Sequence, residues 1–189
     1  MSVSYIPFEF PGVPQVGCAF QTRGGGVSLG EYGGGNIAFT VQDNPDHVIA
    51  NRRSLLESLR PQGMTDWAEL MQVHGDVMAF EPEAVACEVA VTAEGDGMGT
   101  SRPGLGLLIK TADCQPILIA HKSGKYIAAM HAGWRGNRCS FPITGVARFC
   151  DRYGLDPRDL LAVRGPSLGP AKAEFVNFDR EWGDAYLPW

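Results

Sequence analysis

Leu105-Gly106-Leu107-Leu108-Ile109-Lys110, Pro116-Ile117-Leu118-Ile119-Ala120 and Lys125-Tyr126-Ile127-Ala128-Ala129-Met130 follow one another closely along the chain. Each is an apolar run of strand length bounded by Gly, Pro or Asp. Similar runs lie at Val16 to Thr22, Trp67 to Val73, Val77 to Phe80, Val89 to Thr92 and Leu161 to Val163. Helices are fewer. Asn44 is a good N-cap, Pro45 suits a first helical turn and Asp46 complements the positive helix end. Val48, Ile49, Leu55, Leu56 and Leu59 then recur on one face until Pro61-Gln62-Gly63 stops the helix. A second helix is predicted over Phe141 to Tyr153, with Ile143, Val146, Ala147 and Cys150 on one face and Gly154 as its stop. Asp156-Pro157-Arg158-Asp159 caps a short turn of helix. Strands and helices do not alternate strictly, so the expected class is α+β. The expected architecture is a mixed-sheet α/β sandwich, one domain over residues 1–189, rather than a doubly wound parallel sheet.

The composition narrows the function. A chain of 189 residues suits one sizeable core. Sixteen Lys+Arg against twenty-one Asp+Glu give a net charge of -5, the wrong sign for a protein that gains affinity by neutralising phosphates of nucleic acid. The opening residues lack the basic start of a secretory signal, and no segment approaches the roughly twenty apolar residues of a membrane span. The five cysteines, at 18, 87, 114, 139 and 150, include no C-x-x-C pair and suggest neither a disulfide framework nor a zinc ribbon. The expectation is a cytoplasmic protein, monomer or homodimer, with neither nucleic acid nor membrane as partner.

Glycine is concentrated in Arg23-Gly24-Gly25-Gly26-Val27-Ser28-Leu29-Gly30-Glu31-Tyr32-Gly33-Gly34-Gly35. This segment has no Gly-Lys-Ser/Thr ending and does not open into a helix, which excludes a phosphate-binding P-loop and a dinucleotide-binding turn. On composition alone it reads equally well as a flexible surface hairpin.

Three other segments place reactive side chains where strands run out: Met71-Gln72-Val73-His74-Gly75, Lys110-Thr111-Ala112-Asp113-Cys114-Gln115-Pro116 and Met130-His131-Ala132-Gly133-Trp134-Arg135-Gly136. His74, Cys114 and His131 would make a three-ligand set for Zn²⁺ with a fourth position open, as in catalytic zinc sites. They lie forty and seventeen residues apart, which is no local metal motif. A lone Cys is as readily a small buried apolar residue, and a lone His a core or surface group. His47 and His121, with Cys18, Cys87, Cys139 and Cys150, read as packing or surface residues.

Taken together, these segments resemble the laccase-domain family, also called the multicopper polyphenol oxidase family, whose members are regarded as purine nucleoside phosphorylases with adenosine deaminase activity. The resemblance rests on Thr22 to Ser28, Asn51-Arg52-Arg53, Gln72 to Gly75, Arg102-Pro103-Gly104, Thr111 to Pro116, His131 to Gly136 and Gly165-Pro166-Ser167-Leu168-Gly169, in that order. It implies His74, Cys114 and His131 as both metal ligands and catalytic residues. It implies zinc, with copper as the alternative metal. The implied reaction is phosphorolysis of adenosine and inosine, together with deamination of adenosine. Arg23 and Ser28 become candidates for binding substrate or phosphate, and Asn36, Asp113 and Arg135 further candidates for the substrate site. Thr40 departs from a family histidine and Ser167 from a family cysteine. The resemblance fades after Pro170, and relatives continue past the position of Trp189, so a domain lacking a C-terminal segment is expected.

Three competing readings remain. A multicopper oxidase needs a blue-copper site plus a histidine-rich copper cluster, and four histidines do not supply both; a mononuclear copper polyphenol oxidase stays chemically open. Cys114 with a histidine base would instead make a metal-free cysteine hydrolase. Last comes a non-catalytic binding module.

Overall fold

A computed structural model describes residues 2–172 and residue 180. In chain order its main elements are β1 (Tyr5–Glu9), β2 (Gly17–Gln21), α1 (Pro45–Leu59), β3 (Asp66–Glu69), β4 (Met78–Phe80), β5 (Gly97–Thr100), β6 (Leu105–Leu108), β7 (Gln115–His121), β8 (Ile127–Ala132), α2 (Trp134–Arg138), α3 (Phe141–Tyr153) and β9 (Leu160–Arg164). Five strands form one mixed sheet in the order β4-β5-β8-β7-β9, with β4 and β5 parallel and the remaining pairs antiparallel.

The period-2 alternation of β7 and β8 builds the layers. Ile117 and Ile119, with Ala128 and Met130, turn to one face, where Phe141 and Phe149 of α3 cover them. Ala120 turns to the other face with Leu118, Leu161 and Val163, where Phe10, Val13 and Cys18 of the β1–β2 hairpin region pack. Helix, sheet and hairpin therefore form the expected α+β sandwich around a mixed sheet. Beside it, β3 and β6 pair in parallel, and Leu55 of α1 buries against Trp67, Val3, Ile37 and Cys87.

Both predicted helices form. The Asn44 side chain accepts a hydrogen bond from the Asp46 N–H at the start of α1, and α3 ends at Gly154 in the left-handed region at φ 66°. The strand expected at Val89 to Thr92 is absent; Val89 is 48% exposed and this segment has no ladder to join. The run from Trp67 keeps strand pairing only to Glu69. Strand β5, Gly97-Met98-Gly99-Thr100, carries no apolar alternation, yet all four residues are buried. Its glycines leave room for Met78, Phe80 and Phe149, so packing rather than propensity makes it a strand.

One carboxylate ties the far end of the sheet to α3. Glu81, itself at φ 50°, accepts hydrogen bonds from Thr100 Oγ1 at 2.7 Å, the Ser101 N–H at 2.9 Å and Tyr153 Oη at 2.7 Å. Burial pushes this carboxyl up, but the bonds from Tyr153, Thr100 and Ser101 outweigh burial and leave it below its usual value. A depressed folded-state pKa stabilises the fold above the unfolded value, near 4.3, and that contribution is lost as pH falls through the folded pKa. Glu81→Gln should therefore cost about 1–2 kcal/mol at pH 7 by denaturant melts. The gap to wild type should close below about pH 4; an equal gap at both pH values would show that the ionised carboxylate is not what matters.

Candidate functional site

The three reactive segments meet at one end of the sheet. Cys114 immediately precedes β7, His131 lies in β8, and His74 sits in the loop after β3. Their ligand atoms all lie within 4.8 Å of one another, and the two imidazole rings meet edge to face with centroids 4.8 Å apart. Antiparallel pairing of β7 with β8 sets Gln115 opposite Ala132 and Pro116 opposite His131. That register is why residues distant in sequence become neighbours.

Asp96, which sequence reasoning missed, holds this arrangement. Its side chain is fully buried and its Oδ1 lies 2.8 Å from His131 Nδ1. The same carboxylate accepts hydrogen bonds from the backbone N–H groups of Val73 (3.2 Å), His74 (2.9 Å) and Gly75 (2.7 Å). Its own carbonyl accepts the His131 N–H at 2.7 Å. His74 adopts φ 62°, a conformation costly for a residue with a Cβ, and three N–H groups converging on one carboxylate offset that cost. Burial pushes the Asp96 carboxyl up, but the bonds from His131, Gly75, His74 and Val73 prevail and hold it below its usual value. The only signal in the sequence was an acid between two glycines, Gly95-Asp96-Gly97, at the start of an unrecognised strand.

The donor set and its surroundings fit a metal. With Nδ1 turned to Asp96, His131 has Nε2 left as ligand, the carboxylate-to-histidine arrangement that fixes a ring at a metal. Burial, then His131 and Arg135, hold the His74 imidazole below its usual value against the pull of Asp96, which favours the neutral ring that binds metals. Burial, then Asp113 and Asp96, push the Cys114 thiol up. Gly133 keeps the cluster open: a Cβ there would lie 2.9 Å from His74 Cδ2 and 3.0 Å from Cys114 Sγ.

A cleft of about 320 Å³ opens over the cluster. Its wall includes all three donor residues with Phe39, Val91, Glu69, Lys110 and Asp113. Asp113 is exposed at the rim. Arg135 lies beyond the lining, its guanidinium 4.3 Å from the Trp134 ring centroid. Arg23, Ser28 and Asn36 are not brought to the cleft. Arg23 donates to the Gly33 and Glu31 carbonyls at 3.0 and 3.1 Å. Ser28 and Asn36 both donate to Asp43 Oδ2, at 2.6 and 2.9 Å. The glycine-rich segment is thus folded on itself, and at Gly34, with φ 114°, a Cβ would meet the Arg23 carbonyl at 2.1 Å. Thr40 lines the cleft. His47 lies in the first turn of α1 and His121 bonds Ser123 Oγ at 2.8 Å, both outside the cluster.

An α+β sandwich with a His-Cys-His cluster at its strand ends defines the class, and the comparisons supply the family. Residues 17–185 match the family model described as multi-copper polyphenol oxidoreductase laccase, and the chain belongs to that family. It is 36% identical over 182 residues to the purine nucleoside phosphorylase YfiH of Escherichia coli (strain K12), covering 96% of this chain and 70% of that protein. It is 35% identical to the purine nucleoside phosphorylase PA4543 of Pseudomonas aeruginosa, covering 98% of this chain and 74% of that one. Among solved structures, YlmD from Geobacillus stearothermophilus superposes with a TM-score of 0.73 at 29% identity, covering 85% of this chain and 61% of that chain. The Neisseria meningitidis protein NMB0706 gives 0.72 at 28% identity, covering 86% of this chain and 62% of that one. The chain therefore spans less than two thirds of the length of these two solved structures.

Two substitutions probe the site's construction. Asp96→Asn should weaken metal binding roughly tenfold to a hundredfold in a chelator competition with zinc as the probe ion. Gly133→Ala should also lower zinc affinity with the secondary structure kept. Unchanged affinity in both variants would mean that neither the carboxylate nor the empty space shapes the cluster.

Proposed function

We propose that the chain is a zinc-dependent purine nucleoside phosphorylase acting on adenosine and inosine, with deamination of adenosine at the same site. The observation that carries this reading is the convergence of His74, Cys114 and His131 in the wall of one cleft. Two relatives named purine nucleoside phosphorylase, each matched over two thirds or more of its length, support the substrate class. The cleft lies at the lower end of the usual range for small-molecule sites, roughly 300 to 1,000 Å³, a size suited to a nucleoside.

His74, Cys114 and His131 would hold the metal, and zinc when bound supplies a Lewis acid that polarises a substrate oxygen and makes water acidic near neutral pH. The remaining work falls to the chain. Asp96 keeps the His131 proton on Nδ1 and the ring fixed. Phe39 and Val91 would offer apolar surface to a purine, and Asp113 at the rim would accept hydrogen bonds from ribose hydroxyls. In phosphorolysis the bond from the anomeric carbon to the base breaks and a bond to a phosphate oxygen forms, with the base leaving as its protonated neutral form. The oxocarbenium-like ribosyl group carries positive charge in between, which preorganised acceptors stabilise. Arg23, Ser28 and Asn36 act by shaping the glycine-rich segment, and Arg135 by its charge beside His74.

A metal-free cysteine hydrolase would use the same three side chains, but it draws less support because the similar proteins are named purine nucleoside phosphorylases. Copper would suit the same donors, but phosphorolysis and deamination require no redox change.

The test is a chromatographic assay of adenosine and inosine on protein of measured metal content. Adenine and hypoxanthine should appear only when phosphate is added, and Cys114→Ala should reduce turnover to background with zinc lost. Full turnover in metal-free protein, or in Cys114→Ala, would overturn the proposal.

A further inference from the structure

We propose that Lys110 is the phosphate-binding group of the cleft, an inference that rests on the phosphorolysis reading above and assigns its second substrate to a residue. The basis is a surplus charge. Glu69 is buried, and its Oε1 already pairs with Arg52, a side chain with no exposure that lies 4.9 Å from the Phe39 ring centroid and 5.2 Å from that of Trp67. One buried cation is enough to neutralise one buried carboxylate. Lys110 nevertheless places its Nζ 2.5 Å from Glu69 Oε2, with its side chain 17% exposed. Two cations on one carboxylate leave one positive charge, and the cleft wall is where it emerges.

Lys110 is held there. Gln72 Nε2 donates to the Lys110 carbonyl at 2.7 Å, and the Lys110 N–H donates to Gln72 Oε1 at 2.8 Å. This two-bond clamp joins the segments that carry His74 and Cys114, so the ammonium and the His-Cys-His cluster share one rigid frame. An ammonium has three donors; Glu69 takes one and orients the group. The other described lysines, Lys122, Lys125 and Lys172, are all exposed. The opposing lining charge, Asp113, is exposed at the rim, where water and salt screen it, whereas a cation set in a low-dielectric wall attracts an anion strongly. Arg23, a residue that the sequence singled out for substrate or phosphate, turns Nε and Nη2 to the carbonyls of its own loop and lies outside the lining of this cleft.

The probe is inorganic phosphate, titrated at constant ionic strength against chloride into the zinc-loaded chain. Lys110→Met should bind phosphate roughly tenfold to a hundredfold more weakly, raise the phosphate KM with little change in the nucleoside KM, and keep its zinc. Lys110→Arg should recover part of the loss. In wild type, the Lys110 Nζ resonance, assigned by its absence in Lys110→Arg, should shift on adding phosphate while those of Lys122 and Lys125 stay still. That measurement stands even where Lys110→Met fails to fold. An unmoved Lys110 signal at saturating phosphate, or wild-type phosphate affinity in folded Lys110→Met, overturns the proposal. Phosphate binding through Lys110 without release of purine base would instead sink the phosphorolysis reading and leave the anion site standing. Phosphorolysis undiminished in Lys110→Met would do the reverse.

Discussion

The Asp96 carboxylate is the interaction on which the site depends. A single buried anion accepts three consecutive backbone N–H groups from the loop carrying His74 and a ring nitrogen of His131. Burying a carboxylate without partners is costly, and four donors offset that cost. The exchange also removes freedom from the loop, because His74 can keep its left-handed backbone only while those donors stay in place. Strand pairing supplies the rest of the frame: β7 against β8 brings Cys114 up to His131, and Gly133 leaves the space between them empty.

What the sequence made legible followed from local rules. Asn44, Pro45 and Gly154 carry their helix boundaries in their own backbone chemistry, and the apolar runs of β7 and β8 announce strands because both faces of each are buried. The His74, Cys114 and His131 segments were recognisable as separate pieces. Their meeting was not, because it depends on strand register, which no single segment contains. Strand β5 escaped because its glycines are chosen for the neighbours Met78, Phe80 and Phe149, and Asp96 escaped with it. Arg23, Ser28 and Asn36 looked like binding groups since their side chains suit phosphate and sugar. In the structure the left-handed turns of the glycine-rich segment give those same groups local partners outside the cleft lining.

The family's description speaks of several coppers, and the chemistry of this chain points elsewhere. Four histidines are divided so that two join Cys114 and two lie apart, at the start of α1 and at the end of β7. Among the described residues, this is one three-donor group of mixed nitrogen and sulfur, which suits an open tetrahedral metal. Behind it lies the Arg52, Glu69 and Lys110 network, whose net positive charge faces the same cleft. On the function proposed above, a metal held by that group and the Lys110 ammonium would share one small cavity, a pairing that suits a nucleoside and an oxyanion and needs no electron transfer.

On the proposed function, His74, Cys114 and His131 bind one zinc together and leave a position open for a light ligand. X-ray absorption at the zinc edge of the protein as purified tests it most directly. One zinc per chain is expected, with a first shell of two nitrogens at about 2.0–2.1 Å, one sulfur at about 2.3 Å and one further oxygen or nitrogen. A shell without sulfur, a four-sulfur shell, or protein that turns over nucleosides with no metal present would contradict it.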